Sequence, residues 1–131
     1  MNVDLDAEKA RLREIHTKTR VSNTTNIDSE MGYIDEETFL IPPSSKPIVG
    51  RDAVRTFVEE TINTKVTSMG DPRKGHSDFW VSSSGDLAIN RGHYKVKKES
   101  LAKEEGYYIT IYRKLDGEWK LLGEMWNILP E

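Results

Sequence analysis

Glu124, in the segment LLGEMWN, is a carboxylate among apolar neighbours. Asp116-Gly117 suits a two-residue hairpin loop with positive φ at both positions. Leu115 then pairs with Glu118, Ile111 with Leu122, Ile109 with Glu124 and Tyr107 with Trp126. That register puts Glu124 between Leu122 and Trp126 on one face with Ile109. A carboxylate so placed has a raised pKa and can serve as a general acid or base. The plainer alternative is an ion pair with Arg113, Lys120 or a helix residue. His16 lies four residues after Leu12, on a helix face aimed at the sheet. A lone helix histidine is more often a hydrogen-bonded core residue, but beside Glu124 it forms a base with an orienting carboxylate. Glu124 and His16 are therefore the candidate catalytic pair.

Asn90 and Tyr94 alternate onto one strand face, where both can hydrogen-bond a ligand, although Tyr94 equally suits a core. Tyr107 and Trp126, paired across the strands, read either as an aromatic pocket wall or as cross-strand packing worth up to ~1 kcal/mol. Histidines 16, 76 and 93 show no metal-ligand spacing. The chain has no cysteine, which excludes disulfides, thiolate ligands and a cysteine nucleophile. Neither a metal nor another cofactor is expected.

The elements that must hold these residues are legible in outline. Asp4 caps a first helix, with Asp6 and Glu8 in its first turn, and Leu5, Leu12, Ile15, His16 and Thr19 on one face. It ends near Ser22 to Asn26, and a short helical piece follows from Asp28 to about Gly32. Thr38 to Ile41 reads as a strand stopped by Pro42-Pro43. A second long helix starts after Gly50, with Val54, Phe57, Val58, Thr61 and Ile62 as its buried stripe. Asp71 to Gly75 is a loop. The remainder alternates as strands, 76–83, 87–98, 107–115 and 118–129, with turns at Ser83 to Asp86 and at Asp116-Gly117. Helices first and an antiparallel meander last make an α+β domain with helices on one face of the sheet.

The 131 residues suit one domain, 1–131. A net charge of -3 gives no reason to expect nucleic acid. No apolar run approaches the ~20 residues that span a membrane, and the polar, acidic start MNVDLDAEKA is no secretory signal. A cytoplasmic location is expected. The last hairpin is half apolar on both faces, so one face should meet the helices and the other a partner chain. By the expected register the partner face carries Tyr108, Tyr112, Trp119 and Met125, a mix typical of interfaces.

Three blocks carry a family resemblance: YIDEETFLIPPSSKPIVGRDAVRTF from Tyr33, DLAINRGHY from Asp86 and YYITIYRKLDGEWKLLGEMWN from Tyr107. Together they resemble the nuclear transport factor two-like superfamily, and within it the SnoaL-like, ketosteroid isomerase-like group. The resemblance implies a cone of curved antiparallel sheet wrapped around the N-terminal helices, a pocket at the open end and a homodimer through the outer sheet face. Pro42-Pro43 and Gly50 would then shape the pocket mouth; as punctuation between strand and helix they need no such role. Phe39, Ile41, Asn90, Tyr94, Tyr107, Ile109, Ile111 and Trp126 would line the pocket. Ketosteroid isomerases use an aspartate base and an oxyanion hole of a tyrosine and a protonated aspartate. Those acidic positions fall at Ile41 and near Ile111, and the tyrosine's near Lys18. Isoleucine can neither take a proton nor donate a hydrogen bond, so that reaction is not expected.

Three functions remain open. One is a dimeric protein binding a small, apolar or mixed-polarity molecule. Another is an enzyme, an isomerase, dehydratase, cyclase or hydrolase, using Glu124 with His16 or Tyr94. A third is an oligomerisation module like the association domain of calmodulin-dependent kinases.

Overall fold

A computed structural model describes residues 3–18, 27–63, 67–68, 77–97 and 103–130. The described residues form helices α1 (Leu5–Lys18), α2 (Ile27–Met31) and α3 (Arg51–Asn63). The strands are β1 (Ile34–Ile41), β2 (Ile48–Val49), β3 (Thr67–Ser68), β4 (Ser77–Val81), β5 (Leu87–Lys97), β6 (Lys103–Leu115) and β7 (Glu118–Trp126). They make one curved sheet in the order β2-β1-β7-β6-β5-β3, with β4 also on β5. The expected α+β class, helices on one face of the sheet, is the one found. Thr19, Ser22 to Asn26, His76 and the loop Asp71 to Gly75 lie outside the described residues.

Local chemistry explains the element ends. The Ala7 N–H donates to Asp4 Oδ1 at 3.0 Å, the expected N-cap. Gly50 takes φ 96° at the entrance to α3, and the Val54 N–H returns to its carbonyl. Asp116 and Gly117 take φ 52° and 81°, the twist a two-residue hairpin needs. β1 runs further back than the sequence suggests, to Ile34, because Ile34 and Thr38 are buried beside Leu40. One neighbour pair departs from the antiparallel pattern: β1 runs parallel to β7, and most of the chain lies between them to make the crossover.

Two clusters fill the space between helices and sheet. Leu12 and Ile15 of α1 pack with Phe79, Ala88, Tyr112 and Trp119. Val54 and Val58 of α3 pack with Met31, Ile34 and Leu40. At the hairpin end, Glu8 receives the Lys114 ammonium at 2.6 Å and the Trp119 indole N–H. The Lys114 bond is the main reason the Glu8 carboxyl sits below its usual range.

The β6–β7 register decides which residues share a face. It begins as the turn dictates, Leu115 with Glu118, Lys114 with Trp119 and Tyr112 with Leu121. It then shifts, so that Ile111 pairs with Gly123, Thr110 with Glu124, Ile109 with Met125 and Tyr108 with Trp126. Leu122 is the extra residue, a β-bulge. The expected pairs Ile111–Leu122, Ile109–Glu124 and Tyr107–Trp126 are therefore corrected. β1 is irregular at the same height, between Ile34 and Phe39. There the buried Thr38 hydroxyl donates to the Leu121 carbonyl at 2.6 Å and accepts from the Asp35 N–H at 3.0 Å.

The shift acts on β7 alone: it moves Glu124 and Trp126 to the face of Tyr108 and Thr110, and this β6 face, rather than that of Tyr107 and Ile109, meets the helices. Tyr108, Tyr112 and Trp119 are 8, 2 and 4 % exposed and face the helices, so they cannot form the outer-face interface expected of them. Tyr107 and Ile109 turn outward at 50 and 43 % exposure, and Met125 stays outside as expected.

Thr38→Val keeps the shape and removes the hydroxyl that satisfies the Leu121 carbonyl. It should lower stability by about 1–3 kcal/mol, read as a fall in urea midpoint at unchanged slope.

Candidate functional site

The inner face of the sheet carries a polar rung. Asn90 on β5 stands opposite Thr110 on β6, and Thr110 opposite Glu124 on β7. Leu40 of β1 closes the rung. Asn90 and Thr110 are buried, and the Asn90 amide N–H donates to the Asp78 carbonyl at 3.0 Å. The Thr110 hydroxyl donates to Glu124 Oε1 at 3.4 Å. Beside the rung, Tyr108 pairs with Trp126, whose ring lies 5.8 Å from that of Phe57 on α3.

Desolvation pushes the Glu124 carboxyl up from 4.5 to about 7, and the Thr110 hydrogen bond offsets only part of this. The residue as a whole keeps some accessible surface. Of the cations that an ion pair could draw on, the two on the strands are held elsewhere. Arg113 pairs with Asp35 at 3.1 Å and Glu37 at 2.9 Å. Lys120 donates to the Gly32 carbonyl at 2.6 Å and lies 3.5 Å from Glu118.

His16 stands on α1 over β6. Its Nε2 is 2.8 Å from the Tyr108 hydroxyl and its Nδ1 3.3 Å from that of Tyr112. A neutral imidazole has one donor and one acceptor, so one tyrosine donates to it and the other accepts. Buried, and edge-on to Phe79, His16 fixes two tyrosines that flank Thr110. It thus shares the inner face with Glu124, and its bonds to these tyrosines are those of a hydrogen-bonded core histidine.

The expected pocket residues divide between two faces. Asn90, Tyr94 and Trp126 are on the inner face with Glu124. Tyr107, Ile109 and Ile111 are on the outer face, alternating with the buried Tyr108, Thr110 and Tyr112. Phe39 and Ile41 stand in line with Gly123 and Met125, and the Phe39 ring lies over Gly123, where a Cβ would overlap it. The Tyr94 hydroxyl is 3.0 Å from the Glu104 carboxylate and 2.9 Å from the Asn127 carbonyl. Burial first, and then Glu104, raise its pKa. Tyr94 thus fastens the segment after β7. His93 faces outward, bonded to Glu105 and against the Tyr107 ring.

Sequence reasoning missed Tyr108, Thr110 and Tyr112 as inner-face groups. The available signal was Gly123: a lone glycine inside a strand marks a bulge or a close approach, and here it marks both. Among the described residues no three His, Cys, Asp or Glu side chains come together as a metal site. No helix among them is long and apolar enough to cross a membrane.

No family sequence profile and no curated protein sequence matches the chain. Solved structures do. An NTF2-like protein with a cystatin-like fold from Novosphingobium aromaticivorans superposes with a TM-score of 0.76 at 14 % identity, over 95 % of this chain and 84 % of that one. This chain has the NTF2-like, cystatin-like fold. A ketosteroid isomerase-like protein from Erwinia carotovora matches over 100 % of both chains, with a TM-score of 0.68 at 16 % identity. A Xanthomonas campestris protein named for the association domain of calcium/calmodulin-dependent protein kinase II matches over 94 % of this chain and 86 % of that one, with a TM-score of 0.69 at 16 % identity. The NTF2-like fold leaves function to the site.

The raised Glu124 pKa has a defined linkage. The folded state holds this proton more tightly than the unfolded state, so the group's contribution to stability is greatest below about 4.5, falls as pH rises towards about 7 and is flat above. Glu124→Gln should stabilise the protein at pH 8 by roughly 2 kcal/mol and change it little at pH 4. The cost of burying the glutamine amide in the same place holds the effect below the full linkage value. Urea midpoints at the two pH values test this.

Proposed function

We propose that the chain is a dimeric binding protein for a small molecule of mixed polarity, held against the inner sheet face with its polar group towards Glu124. The observation that carries this reading is a desolvated carboxylate on a partly exposed residue, set on a buried polar rung of Asn90 and Thr110 and one rung from the aromatic pair Trp126 and Tyr108. Apolar walls with a few convergent polar groups are how small-molecule sites are built. The NTF2-like fold is consistent with such a site and does not name its occupant.

An enzymatic reading is favoured by one observation. A carboxyl with a pKa of about 7 is matched to proton transfer at neutral pH. On this reading Glu124 is the general acid or base of an isomerase, dehydratase, cyclase or hydrolase. Thr110 positions it, and His16 acts through Tyr108 rather than by direct pairing.

The outer face supports a homodimer, with Met125 alone kept from the residues first expected. Trp80, Ile89, Ile109 and Met125 are 53, 41, 43 and 49 % exposed. Register sets Trp80 opposite Ile89, and Ile109 opposite Met125. Such a contiguous apolar surface marks an interaction site. Asp78 and Arg91, 3.2 Å apart, add a polar rim.

Native mass spectrometry on gently purified protein tests both parts. A dimer carrying extra mass that is lost on denaturation is the expected result. Ile109→Asp should convert it to a monomer that still melts cooperatively. A monomeric wild type would remove the interface, a large ring would favour the oligomerisation module, and turnover in a metabolite screen that Glu124→Gln abolishes would select the enzyme.

A further inference from the structure

Glu124 lies on the inner face without a counter-cation from the described residues, and its described hydrogen bond comes from a neutral hydroxyl. The nearby strand cations are committed. Lys114, on the same face of β6, is bound by Glu8 at the hairpin end. Arg113 points the other way, to Asp35 and Glu37. Lys120 is held by Gly32 and Glu118. Desolvated carboxylates are ordinarily paired, so this site offers a negative charge that the surrounding strands leave uncompensated.

The neighbouring groups are aromatic. Trp126 is two residues along the same strand face, about 7 Å away by strand geometry. The Phe57 ring lies against it, and Tyr108 stands directly across from it on β6. A Cβ at Gly92 would overlap the Tyr108 hydroxyl, so the absence of a side chain there lets the ring lie flat against β5. A carboxylate with aromatic side chains one rung away is a combination that can recognise an organic cation, by charge pairing and by cation–π attraction.

We propose that the occupant of this site carries an organic ammonium group, which pairs with the Glu124 carboxylate and lies against the ring of Trp126 or Tyr108. The inference rests on the pocket reading above and specifies its ligand: an amine or quaternary ammonium with an apolar body, in preference to a neutral or anionic molecule of the same shape. It also gives the Thr110 hydroxyl a role, since its hydrogen bond holds one carboxylate oxygen and leaves the other for the ligand.

The test compares two probes of matched shape, benzyltrimethylammonium and neopentylbenzene, by ligand-observed NMR at about pH 8, where Glu124 is mostly ionised. The cation should bind at least about tenfold more tightly than the hydrocarbon. Glu124→Gln, expected to be the more stable protein at this pH, should remove the preference while the hydrocarbon's affinity holds. Trp126→Leu should weaken the cation more than the hydrocarbon. Equal or tighter binding of the hydrocarbon by the wild type overturns the ammonium assignment and leaves the pocket standing. So does a cation preference that survives in Glu124→Gln. Failure of both probes to bind overturns the assignment and the pocket reading together.

Discussion

The hydrogen bond from the Thr38 hydroxyl to the Leu121 carbonyl is the contact on which the rest of the arrangement turns. A bulge displaces backbone groups from the ladder, and each needs another partner if it is buried. Here one irregularity supplies the partner for the other. β1 bows out between Ile34 and Phe39, which brings the Thr38 side chain to the carbonyl just before the extra residue of β7. Tyr33 receives the Leu121 N–H, so both backbone groups of Leu121 are satisfied from the β1 side. The guanidinium of Arg113 draws Asp35 and Glu37 together across the same place.

That local device sets the chemistry of both faces. Had β7 kept the register that Asp116-Gly117 starts, Glu124 would share a face with Tyr107 and Ile109, which are solvent-exposed. An exposed carboxylate there would keep an ordinary pKa. One extra residue turns it inward, opposite Thr110, where desolvation holds it near 7. The same step carries Met125 outward beside Ile109, so the apolar outer surface and the acidic inner one are produced together.

The elements were legible because each is written in local chemistry: the Asp4 cap, the Val54–Phe57–Val58 stripe, the Asp116-Gly117 turn. His16 was legible as a residue on the buried face of α1, and Glu124 as a carboxylate among apolar neighbours. Which face of β6 turns inward was not legible, because both faces are half apolar and the bulge in β7 puts Glu124 and Trp126 on the face opposite to that of their unbulged pairing. Tyr108, Tyr112 and Trp119 look like interface residues by type, and the same aromatic character suits the core they occupy. Gly123 was the one local sign. It was silent about which strand neighbour would need its missing side chain, since the Phe39 ring that occupies the space comes from β1.

Glu124 also illustrates why a site of this kind sits against a well-packed wall. Its desolvation opposes folding above pH 7, so the surroundings must hold it in place through contacts that do not neutralise it. The two clusters formed with α1 and α3 supply that rigidity from either side. His16 adds to it by tying Tyr108 and Tyr112 to α1, so that the strand bearing Thr110 cannot move away from that helix without breaking buried hydrogen bonds. A lysine within reach of Glu124 would relieve the carboxylate and spend its charge within the fold. On the proposed reading, the neutral Thr110 hydroxyl leaves that charge for a ligand, which is the physical difference between a buried ion pair and a binding site.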